Sequence, residues 1–441
     1  MNTSATEHGS DHNRLLSSLE NVKQRYHAAN PESYARWQNA RNFMPGGNTR
    51  TVLHYDPFPV SIVKGDGTYV HDLDGHRYTD FLGEYSAGLY GHSNEVILDA
   101  IREAIAGGMT LGGPNNWESK FAEAVCERFP SIDLVRFTNS GTEANLMALG
   151  AARAHTGRDR ILVMDGGYHG GVLYFGSRNS PVNAPFDLVF GRFNDIERTL
   201  DLIDANRNEL AAVLIEPMMG SAGCIAADKE YLTALRAATE KHGIVLIFDE
   251  VMTSRSSSGG LQKVLGILPD MTTVGKYLGG GCSFGGFGGR RDIMELFDPT
   301  SPKALSHAGT FNNNVMTMAA GYIALTKVFT EDAADQLYAR GETLRGNLNA
   351  IVKAKGAKVQ VTGVGSILGV HPVDHPITAP DSFKDQRLQH RQLLHLEMLM
   401  HGFVFAQRGY MSLNLAMTDE DLAGLATAFA SVLDMHADCL S

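Results

Sequence analysis

Three short stretches of the sequence carry side chains that could perform chemistry together. They are the turn Asn139-Ser140-Gly141-Thr142-Glu143, Asp249 at the end of an apolar run, and Lys276 after Val274-Gly275. A turn that opens a helix offers free backbone N–H groups and the positive helix end, which bind anions such as phosphate. A buried carboxylate needs a cationic partner to remain ionised, and a protonated ring nitrogen would be such a partner.

An aromatic residue follows a fourth apolar run. Tyr168 and His169 lie in the glycine-rich stretch 166–171, directly after Ile161–Met164. An aromatic ring at the end of a strand is able to stack on a flat heterocycle. Core packing of Tyr168 and a loop position for His169 are the ordinary alternatives.

Each feature alone also has a plain structural explanation. Serine and threonine, as at Ser140 and Thr142, are common helix caps, and aspartates often cap helices that follow strands. The four features nevertheless occur in a fixed order: phosphate turn, aromatic residue, acidic residue, lysine. Ligands in open α/β sheets bind at the carboxyl ends of the strands. The sequence therefore predicts a single crevice for a ring-shaped aldehyde cofactor. The lysine would bind its aldehyde, the aspartate its ring nitrogen and the helix end its phosphate.

Short apolar runs predict the strands that position these residues. Because the runs show little alternation, they are typical of strands buried on both faces. The predicted strands are Leu134–Thr138, Ile161–Met164, Ala212–Glu216, Ile244–Asp249 and Thr272–Gly275. Helices such as Glu143–His155 and Lys229–Lys241 fall between them, and this βα rhythm predicts an α/β fold with a mostly parallel sheet.

The sequence outside this region predicts a second, smaller domain. Residues 1–14 are polar and are expected to form a disordered tail, and residues 15–94 form an N-terminal segment that begins with a helix over 15–43. The large domain is expected over 95–335. The C-terminal part, 336–441, is expected to be α+β, with the N-terminal strands joining it.

Within 336–441, the pattern predicts a helix near residues 386–401. It also predicts a final helix that begins near Thr418, with Asp421 as its capping partner.

The overall composition excludes several classes of function. The chain has 441 residues with a formal net charge of -11, which disfavours nucleic-acid and anionic-membrane partners. None of its four cysteines forms a CxxC pair, and no metal-ligand spacing such as HExxH occurs, so no metal site is expected. No apolar run approaches the roughly 20 residues of a membrane helix. A cytoplasmic protein is expected.

These residues resemble the class III (ω-type) aminotransferases, which are pyridoxal-phosphate (PLP) enzymes of fold type I. The resemblance spans nearly the whole chain and is carried by Phe137–Asn145, Gly167–Gly170, Ile215–Pro217, Phe248–Val251, Gly275-Lys276 and Ser306–Asn314. Within the group the chain is most similar to β-amino-acid aminotransferases that act on β-phenylalanine-like substrates. It is also similar to glutamate-1-semialdehyde aminomutases, notably at Met44–Gly47. The resemblance implies a seven-stranded large domain and a small domain formed by both termini.

The resemblance also implies how the chain binds PLP. Lys276 would hold the cofactor as a covalent Schiff base (aldimine) and move the proton, and Asp249 would pair with the pyridine nitrogen. The remaining cofactor contacts are expected from Ser140, Gly141, Thr142, Tyr168, Glu216, Met252 and Thr310. Thr310 would reach the phosphate of the neighbouring subunit, which makes the expected active unit a homodimer. Val251 is the alternative to Met252 on the ring face opposite Tyr168.

Two arginines are expected to select the substrates. By resemblance, Arg50 matches a carboxylate-binding position and Arg408 matches a mobile arginine that recognises the carboxylate of the amino acceptor. The planar guanidinium suits both tasks because it binds carboxylates in a bidentate manner. Tyr85 could line the side-chain pocket or pack in the core. The expected reaction moves an amino group from an aromatic β-amino acid to 2-oxoglutarate or pyruvate in a ping-pong sequence.

Three alternatives remain open on the sequence. The first is a glutamate-1-semialdehyde 2,1-aminomutase-like enzyme, which moves the amine within one substrate and needs no external keto acid. The second is a racemase or decarboxylase on the same fold. The third is a PLP-binding regulatory protein, against which the intact set of Lys276, Asp249 and the phosphate turn argues.

Overall fold

Strands and helices alternate through the middle of the chain. The computed structural model describes residues 3–178, 180–383 and 387–440. In chain order the strands are β1 (Ile62–Asp66), β2 (Tyr69–Asp72), β3 (Arg77–Asp80), β4 (Leu134–Thr138), β5 (Arg160–Met164), β6 (Leu188–Gly191), β7 (Leu210–Ile215), β8 (Met218–Met219), β9 (Ile225–Ala226), β10 (Val245–Asp249), β11 (Met271–Gly275), β12 (Gly285–Gly289), β13 (Gln360–Val364), β14 (Ile367–His371), β15 (Phe403–Val404) and β16 (Tyr410–Ser412).

The helices are, in the same order, α1 (Thr3–Ala29), α2 (Pro31–Ala40), α3 (Glu95–Ala106), α4 (Asn116–Arg128), α5 (Gly141–Thr156), α6 (Ile196–Ala205), α7 (Lys229–His242), α8 (Gly260–Leu265), α9 (Arg291–Met294), α10 (Val315–Ile323), α11 (Glu331–Lys355), α12 (Leu388–Met400), α13 (Asp419–Met435) and α14 (Ala437–Leu440). No helix of the described residues is long and apolar enough to cross a membrane.

The central sheet has seven strands in the order β4-β12-β11-β10-β7-β5-β6. All neighbours pair in parallel except β12, which is antiparallel to both β11 and β4. Alternate residues of β10 enter two different cores: Leu246 and Phe248 lie in one, and Val245 and Ile247 in the other. The strands are therefore buried on both faces, which confirms the predicted α/β class and the mostly parallel sheet.

Strand β12 was not predicted from the sequence, because four of its five residues are glycine and glycine weakens strands. The structure shows why glycine is needed. A Cβ atom at Gly285 would lie 2.1 Å from the carbonyl oxygen of Ser140, and one at Gly289 would lie 2.4 Å from that of Asp270. At these two positions the backbone of β12 thus passes too close to its neighbours for a side chain, whereas Phe287 in the middle of the strand is buried in the core.

The smaller domain combines both ends of the chain. β15 pairs in parallel with β3, so that Phe403 lies opposite Thr79, and this joins the C-terminal part to the sheet β1-β2-β3. α1 and α12 pack in one apolar cluster that includes Val22 and Leu396. This confirms the predicted α+β domain formed by both termini. The boundaries predicted at residues 95 and 336 stay predictions.

Two predictions for the N-terminal segment were wrong in detail. Helix α1 begins at Thr3, although residues 1–14 were expected to be a disordered tail. Residues 3–14 contain no proline and one glycine, so nothing in them ends the helix that Leu15 and Leu19 anchor in the core. The helix expected over 15–43 is divided into α1 and α2 at Pro31, which fits the first turn of a helix but not its interior.

At the other end of the chain, the helix predicted near 386–401 is α12, and position 386 lies outside the described residues. Residues 1, 2 and 441 of the predicted terminal segments also lie outside them. The last helix is confirmed: Thr418 caps α13, and its side chain and that of Asp421 form a reciprocal capping box.

Candidate active site

The predicted phosphate turn lies where β4 ends and α5 begins. Ser140 is the helix cap, and its Oγ accepts a hydrogen bond of 3.2 Å from the backbone N–H of Glu143. Among the described residues, no hydrogen bond uses the backbone N–H groups of Gly141 and Thr142. Because these groups lie at the positive end of α5, they are free to bind an anion.

Asp249 is a buried carboxylate at the end of β10. Its Oδ2 accepts hydrogen bonds of 2.8 Å from Nδ1 of His169 and from Nδ2 of Asn145, and its Oδ1 accepts one of 3.0 Å from the backbone of Val251. These three hydrogen bonds fix the position of the Asp249 carboxylate. The side chain is therefore suited to hold a protonated ring nitrogen.

Asn145 connects the phosphate turn to two strands of the sheet. It lies on α5, is 1% exposed, and its Oδ1 accepts a hydrogen bond of 2.7 Å from the hydroxyl of Thr273 on β11. Its amide donates to Asp249 on β10. Asn145 thus fixes the carboxylate relative to the helix that carries the anion-binding turn.

Lys276 directly follows β11 and is partly buried. Its Nζ donates a hydrogen bond of 2.6 Å to the backbone carbonyl of Tyr85. Burial lowers the pKa of Lys276 to about 8, and the positive charge of Arg408 acts in the same direction, whereas Asp249 and Glu84 oppose the shift. A lowered pKa increases the neutral fraction of the amine, which is the form that attacks an aldehyde.

Tyr168 is held by its backbone, and the residue remains 40% exposed. The N–H of Tyr168 donates a 3.0 Å hydrogen bond to Oε1 of Glu216, whose Oε2 accepts one of 2.9 Å from Gly220. Burial raises the pKa of Glu216 to about 7. The accessible ring is thus available for stacking, and Glu216 orients its backbone.

Val251 and Met252 occupy different places. A Cβ atom at Gly141 would lie 2.9 Å from Cγ2 of Val251, and one at Gly275 would lie 3.2 Å from its Cγ1. Val251 therefore separates the anion-binding turn from the strand that carries the lysine. Met252 instead packs in an apolar cluster with Tyr85, so the geometry favours Val251 over Met252 as the ring contact.

A cavity of about 680 Å³ lies beside Tyr85 and is lined by both predicted carboxylate-binding arginines. Nη1 of Arg50 is 2.5 Å from Oε1 of Glu84, and both side chains are about half exposed. The guanidinium of Arg408 lies 5.0 Å from the ring centre of Tyr85, and its Nη1 donates a 2.9 Å hydrogen bond to the hydroxyl of Ser221. Arg50 and Arg408 thus flank the residue whose carbonyl binds the lysine.

The segment from Gly83 to Ser86 has an unusual backbone. Its four residues have positive φ values, and three of them are not glycine: Glu84 (46°), Tyr85 (55°) and Ser86 (78°). This conformation is unfavourable for residues with a side chain. Asp80 anchors its start, because its Oδ1 accepts from the N–H groups of residues 82 and 83 at 2.8 and 2.9 Å. Two consecutive residues of this turn thus make the contacts of the site: Glu84 pairs with Arg50, and the carbonyl of Tyr85 accepts from Lys276.

Thr310 is exposed in the loop before α10. Two residues further on, the side chain of Asn312 accepts a 2.9 Å hydrogen bond from Nδ2 of Asn139, which directly precedes the anion-binding turn of the same chain. The contact of Thr310 with a second subunit stays a prediction.

Several residues of the site were missed by the sequence analysis. His169 was given an ordinary loop position as its alternative, but it is 2% exposed and bonds to Asp249. Asn145 gave a detectable signal, because it is a polar residue between the apolar positions 144 and 148 of a predicted helix. No signal marked Glu84, since its pairing with Arg50 depends on the left-handed turn.

The residues brought together fit PLP. The anion-binding turn, the carboxylate of Asp249 and the amine of Lys276 end three strands of one sheet, and the ring of Tyr168 lies beside them. Burial keeps a fraction of the Lys276 amine in its neutral form. The carboxylate of Asp249 accepts three hydrogen bonds. Among the described residues, no group of three or more metal-ligating side chains occurs.

Comparison with known proteins gives the family. The family model Aminotransferase class-III matches residues 52–433. β-Phenylalanine transaminase of Variovorax paradoxus is 48% identical over 432 residues, which cover 97% of this chain and 99% of that protein. A solved structure of the β-phenylalanine aminotransferase from Variovorax paradoxus has a TM-score of 0.95 at 47% identity, and covers 97% of this chain and 99% of that one.

Two further relatives show the breadth of the group. An ω-transaminase structure from Sphaerobacter thermophilus has a TM-score of 0.85 at 37% identity, and covers 92% of this chain and 98% of that one. Glutamate-1-semialdehyde 2,1-aminomutase of Methanococcoides burtonii is 34% identical over 411 residues, 89% of this chain and 97% of that protein. These matches confirm fold type I. The chain belongs to the class III aminotransferases, a PLP-dependent family, and is a transaminase.

Proposed function

We propose that this transaminase moves the amino group of an aromatic β-amino acid, such as β-phenylalanine, to an α-keto acid such as 2-oxoglutarate or pyruvate in a ping-pong sequence. One observation carries the proposal: Arg50 and Arg408 line a single cavity beside Tyr85, the residue that contacts Lys276. The similarity to β-phenylalanine transaminase over 97% of the chain supports the same donor class.

Two carboxylate-binding groups answer a geometric requirement. A β-amino acid carries its carboxylate one carbon further from the amine than an α-amino acid does. In a ping-pong reaction the same cavity must accept both shapes, one in each half-reaction. We assign Arg50 to the β-amino acid and Arg408 to the α-keto acid, because a guanidinium binds either carboxylate in a bidentate manner.

The chain would hold the cofactor through the contacts described above. Lys276 would bind it covalently, the Ser140–Thr142 turn its phosphate, Asp249 its ring nitrogen, and Tyr168 and Val251 would pack on its two faces. When bound, PLP supplies an aldehyde and a ring that stabilises negative charge on the substrate carbon. Lys276, once free, moves the proton between the substrate and cofactor carbons, and its lowered pKa suits this acid–base function near neutral pH.

The other expectations complete the proposal. The active unit would be a homodimer in which Thr310 of each subunit reaches the phosphate in the partner's site. Tyr85 would line the side-chain pocket, since it is buried beside Arg408 and stacks on Tyr410 with ring centres 5.6 Å apart. The cytoplasmic location stays a prediction.

The test is a spectroscopic donor panel. PLP-loaded enzyme is mixed separately with β-phenylalanine, α-phenylalanine and 1-phenylethylamine, and the absorbance of the bound cofactor is followed over time. We expect the fastest conversion with β-phenylalanine, followed by its reversal with 2-oxoglutarate or pyruvate. Equal or faster conversion of the amine that lacks a carboxylate would refute the proposed donor class.

A second candidate function is intramolecular amine transfer, which the 34% identity to a glutamate-1-semialdehyde 2,1-aminomutase favours. An aminomutase needs no external acceptor. Conversion of glutamate-1-semialdehyde by the enzyme in the absence of any keto acid would support this candidate. A strict requirement for a keto acid supports the aminotransferase.

A further inference from the structure

A second cavity of about 720 Å³ lies on the other side of Arg408 and carries a large excess of positive charge. Five arginines line it: Arg178, Arg192, Arg198, Arg391 and Arg408. The acidic residues in its lining are Asp165 and Asp381. The cavity therefore has three more positive than negative side chains, although the whole chain has a net charge of -11. A concave, cationic surface concentrates anions.

The aspartates neutralise two of the arginines and leave others without a counter-ion. Arg178 forms a two-pronged ion pair with Asp165, and Nε of Arg192 is 2.9 Å from Oδ2 of Asp381. Among the described residues, Arg391 has no acidic partner. Its Nε is buried without a hydrogen-bond partner, and its guanidinium lies 5.9 Å from the ring centre of Phe383.

Arg408 also has no acidic partner among the described residues. Its Nε is also buried without a hydrogen-bond partner in the described part of the chain, while its Nη1 binds the hydroxyl of Ser221. Arg391 and Arg408 line the same cavity. Burial lowers the pKa of Arg391, and the charge of Arg408 lowers it further. Two like charges in a desolvated place are costly unless an anion compensates them.

We propose that Arg391 and Arg408 form a binding site for a small carboxylate or phosphate anion in this cavity, separate from the substrate cavity. A guanidinium presents N–H donors in a planar fork that matches both kinds of anion. Because Arg408 lines both cavities, an anion held here competes with the keto acid for the same guanidinium. This competition rests on the proposed function of Arg408, whereas the binding itself does not.

Binding is tested with PLP-loaded enzyme and inorganic phosphate or malonate by isothermal titration calorimetry. The key variant is Arg391→Met, which keeps an apolar stem on Phe383 and removes the charge. The matched control is Arg198→Met, which removes the same charge from an exposed position of the same cavity. We expect Arg391→Met to weaken binding by about 10- to 100-fold, as loss of a charged hydrogen-bond partner does, and Arg391→Lys to restore part of it.

Three results would overturn the binding site. Equal weakening by Arg391→Met and Arg198→Met would mean that the anion is attracted only by the general positive potential. Loss of binding in Arg50→Ala, with Arg391→Met unaffected, would place the anion in the substrate cavity. Absence of phosphate and malonate binding by the wild-type enzyme would also reject it. Whichever of phosphate and malonate binds with the lower dissociation constant identifies the ligand class.

The competition is tested in separate half-reactions. The anion should slow the reaction of the aminated enzyme with 2-oxoglutarate competitively in the wild type, and much less in Arg391→Met, and should leave the donor half-reaction unchanged. Anion binding without slowing would overturn the competition alone. If Arg408→Ala used 2-oxoglutarate normally, the assignment of Arg408 in the proposed function would fail, while the dependence of anion binding on Arg391 would still be measured.

Discussion

Lys276 combines burial with a polar contact, and both determine its reactivity. Its amine donates to the carbonyl of Tyr85, and no carboxylate lies within ion-pair distance of it among the described residues. Burial is the largest cause of its lowered pKa, and the charge of Arg408 is the second. The lysine is therefore kept partly neutral by its surroundings rather than by a single neighbouring base.

The pKa of Lys276 predicts how the apoenzyme captures PLP at different pH values. Because the pKa in the folded protein is lowered to about 8, the reactive neutral amine predominates above that pH and is lost as the pH falls below it. The capture rate should rise about tenfold per pH unit up to about pH 8 and then level off. Stopped-flow absorbance measures this rate, and Nα-acetyl-lysine in the same buffers corrects for the titration of PLP.

A continued rise of the corrected rate above about pH 10 would contradict the lowered pKa, because that is the behaviour of an unshifted lysine. The variant Arg408→Gln serves as a second control. The charge of Arg408 is the second cause of the lowered pKa, after burial. Its removal should therefore raise the pH at which the capture rate stops rising, by less than the whole shift that burial causes.

The ion pair of Glu84 with Arg50 should weaken the binding of the substrate carboxylate. The Glu84 carboxylate holds Arg50 at 2.5 Å, so a substrate carboxylate must compete with it. Because both side chains are about half exposed, the pair contributes at most about 1 kcal/mol. Glu84→Gln should lower the KM for β-phenylalanine by up to about fivefold with kcat nearly unchanged. Steady-state kinetics measure both constants.

The controls for this prediction are an amine without a carboxylate, whose KM should not fall in Glu84→Gln, and the variant Arg50→Ala, in which the KM for β-phenylalanine should rise. A raised KM for β-phenylalanine in Glu84→Gln would show instead that the carboxylate orients Arg50 for binding.

At the scale of elements, the antiparallel strand β12 supports the anion-binding turn from behind. Gly285 pairs with Thr138, the last residue of β4, and its backbone touches the carbonyl of Ser140. Because Gly285 has no side chain, β12 can pair with the end of β4 without a clash with Ser140, the residue that caps α5. The geometry of the turn therefore depends on a residue that contributes no chemical group.

Gly285→Ala should disturb both stability and cofactor binding. The added Cβ would lie 2.1 Å from the carbonyl oxygen of Ser140 and 2.4 Å from Oγ1 of Thr138, so the turn must move. Overpacking of this kind costs about 1–3 kcal/mol. We expect a lower midpoint of thermal unfolding and a larger dissociation constant for PLP, measured by scanning calorimetry and by absorbance titration.

Gly150→Ala is the matched control, because it lies on the same helix α5 with no atom within 4 Å of the added Cβ. Replacement of a helical glycine by alanine there should stabilise the protein by about 0.5–1 kcal/mol and leave PLP binding unchanged. If Gly285→Ala behaved like this control, the proposed support of the turn by β12 would be wrong.

At the scale of the whole molecule, a buried arginine ties the three parts of the chain together. Arg255 is 1% exposed and lies in the large domain after β10. It donates to the carbonyl of Ser86 in the N-terminal segment and, in the C-terminal part, to the hydroxyl of Ser366 and the carbonyl of Leu413. The left-handed turn beside Lys276 is thus connected through Arg255 to the C-terminal part of the chain.

The proposed dimer predicts complementation between two defective chains. Lys276→Ala lacks the catalytic amine, and Thr310→Asp should repel the phosphate in the partner's site. If Thr310 acts across the dimer, a mixed dimer contains one site with Lys276 and Thr310 both intact. Refolding or co-expression of the two variants should then restore about a quarter of wild-type activity, since about half of the dimers are mixed.

The measurement is transaminase activity of the mixed preparation against each variant alone, with size-exclusion chromatography as the control for assembly. No recovery above the separate variants, despite mixed dimers, would show that Thr310 acts within its own chain.

Local patterns in the amino-acid sequence were sufficient to identify the residues at the centre of the site. Ser140, Asp249 and Lys276 each lie at or just after the end of a mostly apolar run, and the structure places each at the carboxyl end of a strand of one mostly parallel sheet. A short apolar run specifies a buried strand, and parallel strands bring their carboxyl ends to one edge. The fold class and the position of the central site could therefore be predicted before any contact was known.

The contacts that join distant segments follow from the folded arrangement of the chain. Glu84 pairs with Arg50 because a left-handed turn aims it there, His169 binds Asp249 from 80 residues away, and β12 requires glycine because two other backbones approach it. Such pairings depend on the relative positions of elements and not on local periodicity or propensity, so no pattern within a single stretch of sequence contains them.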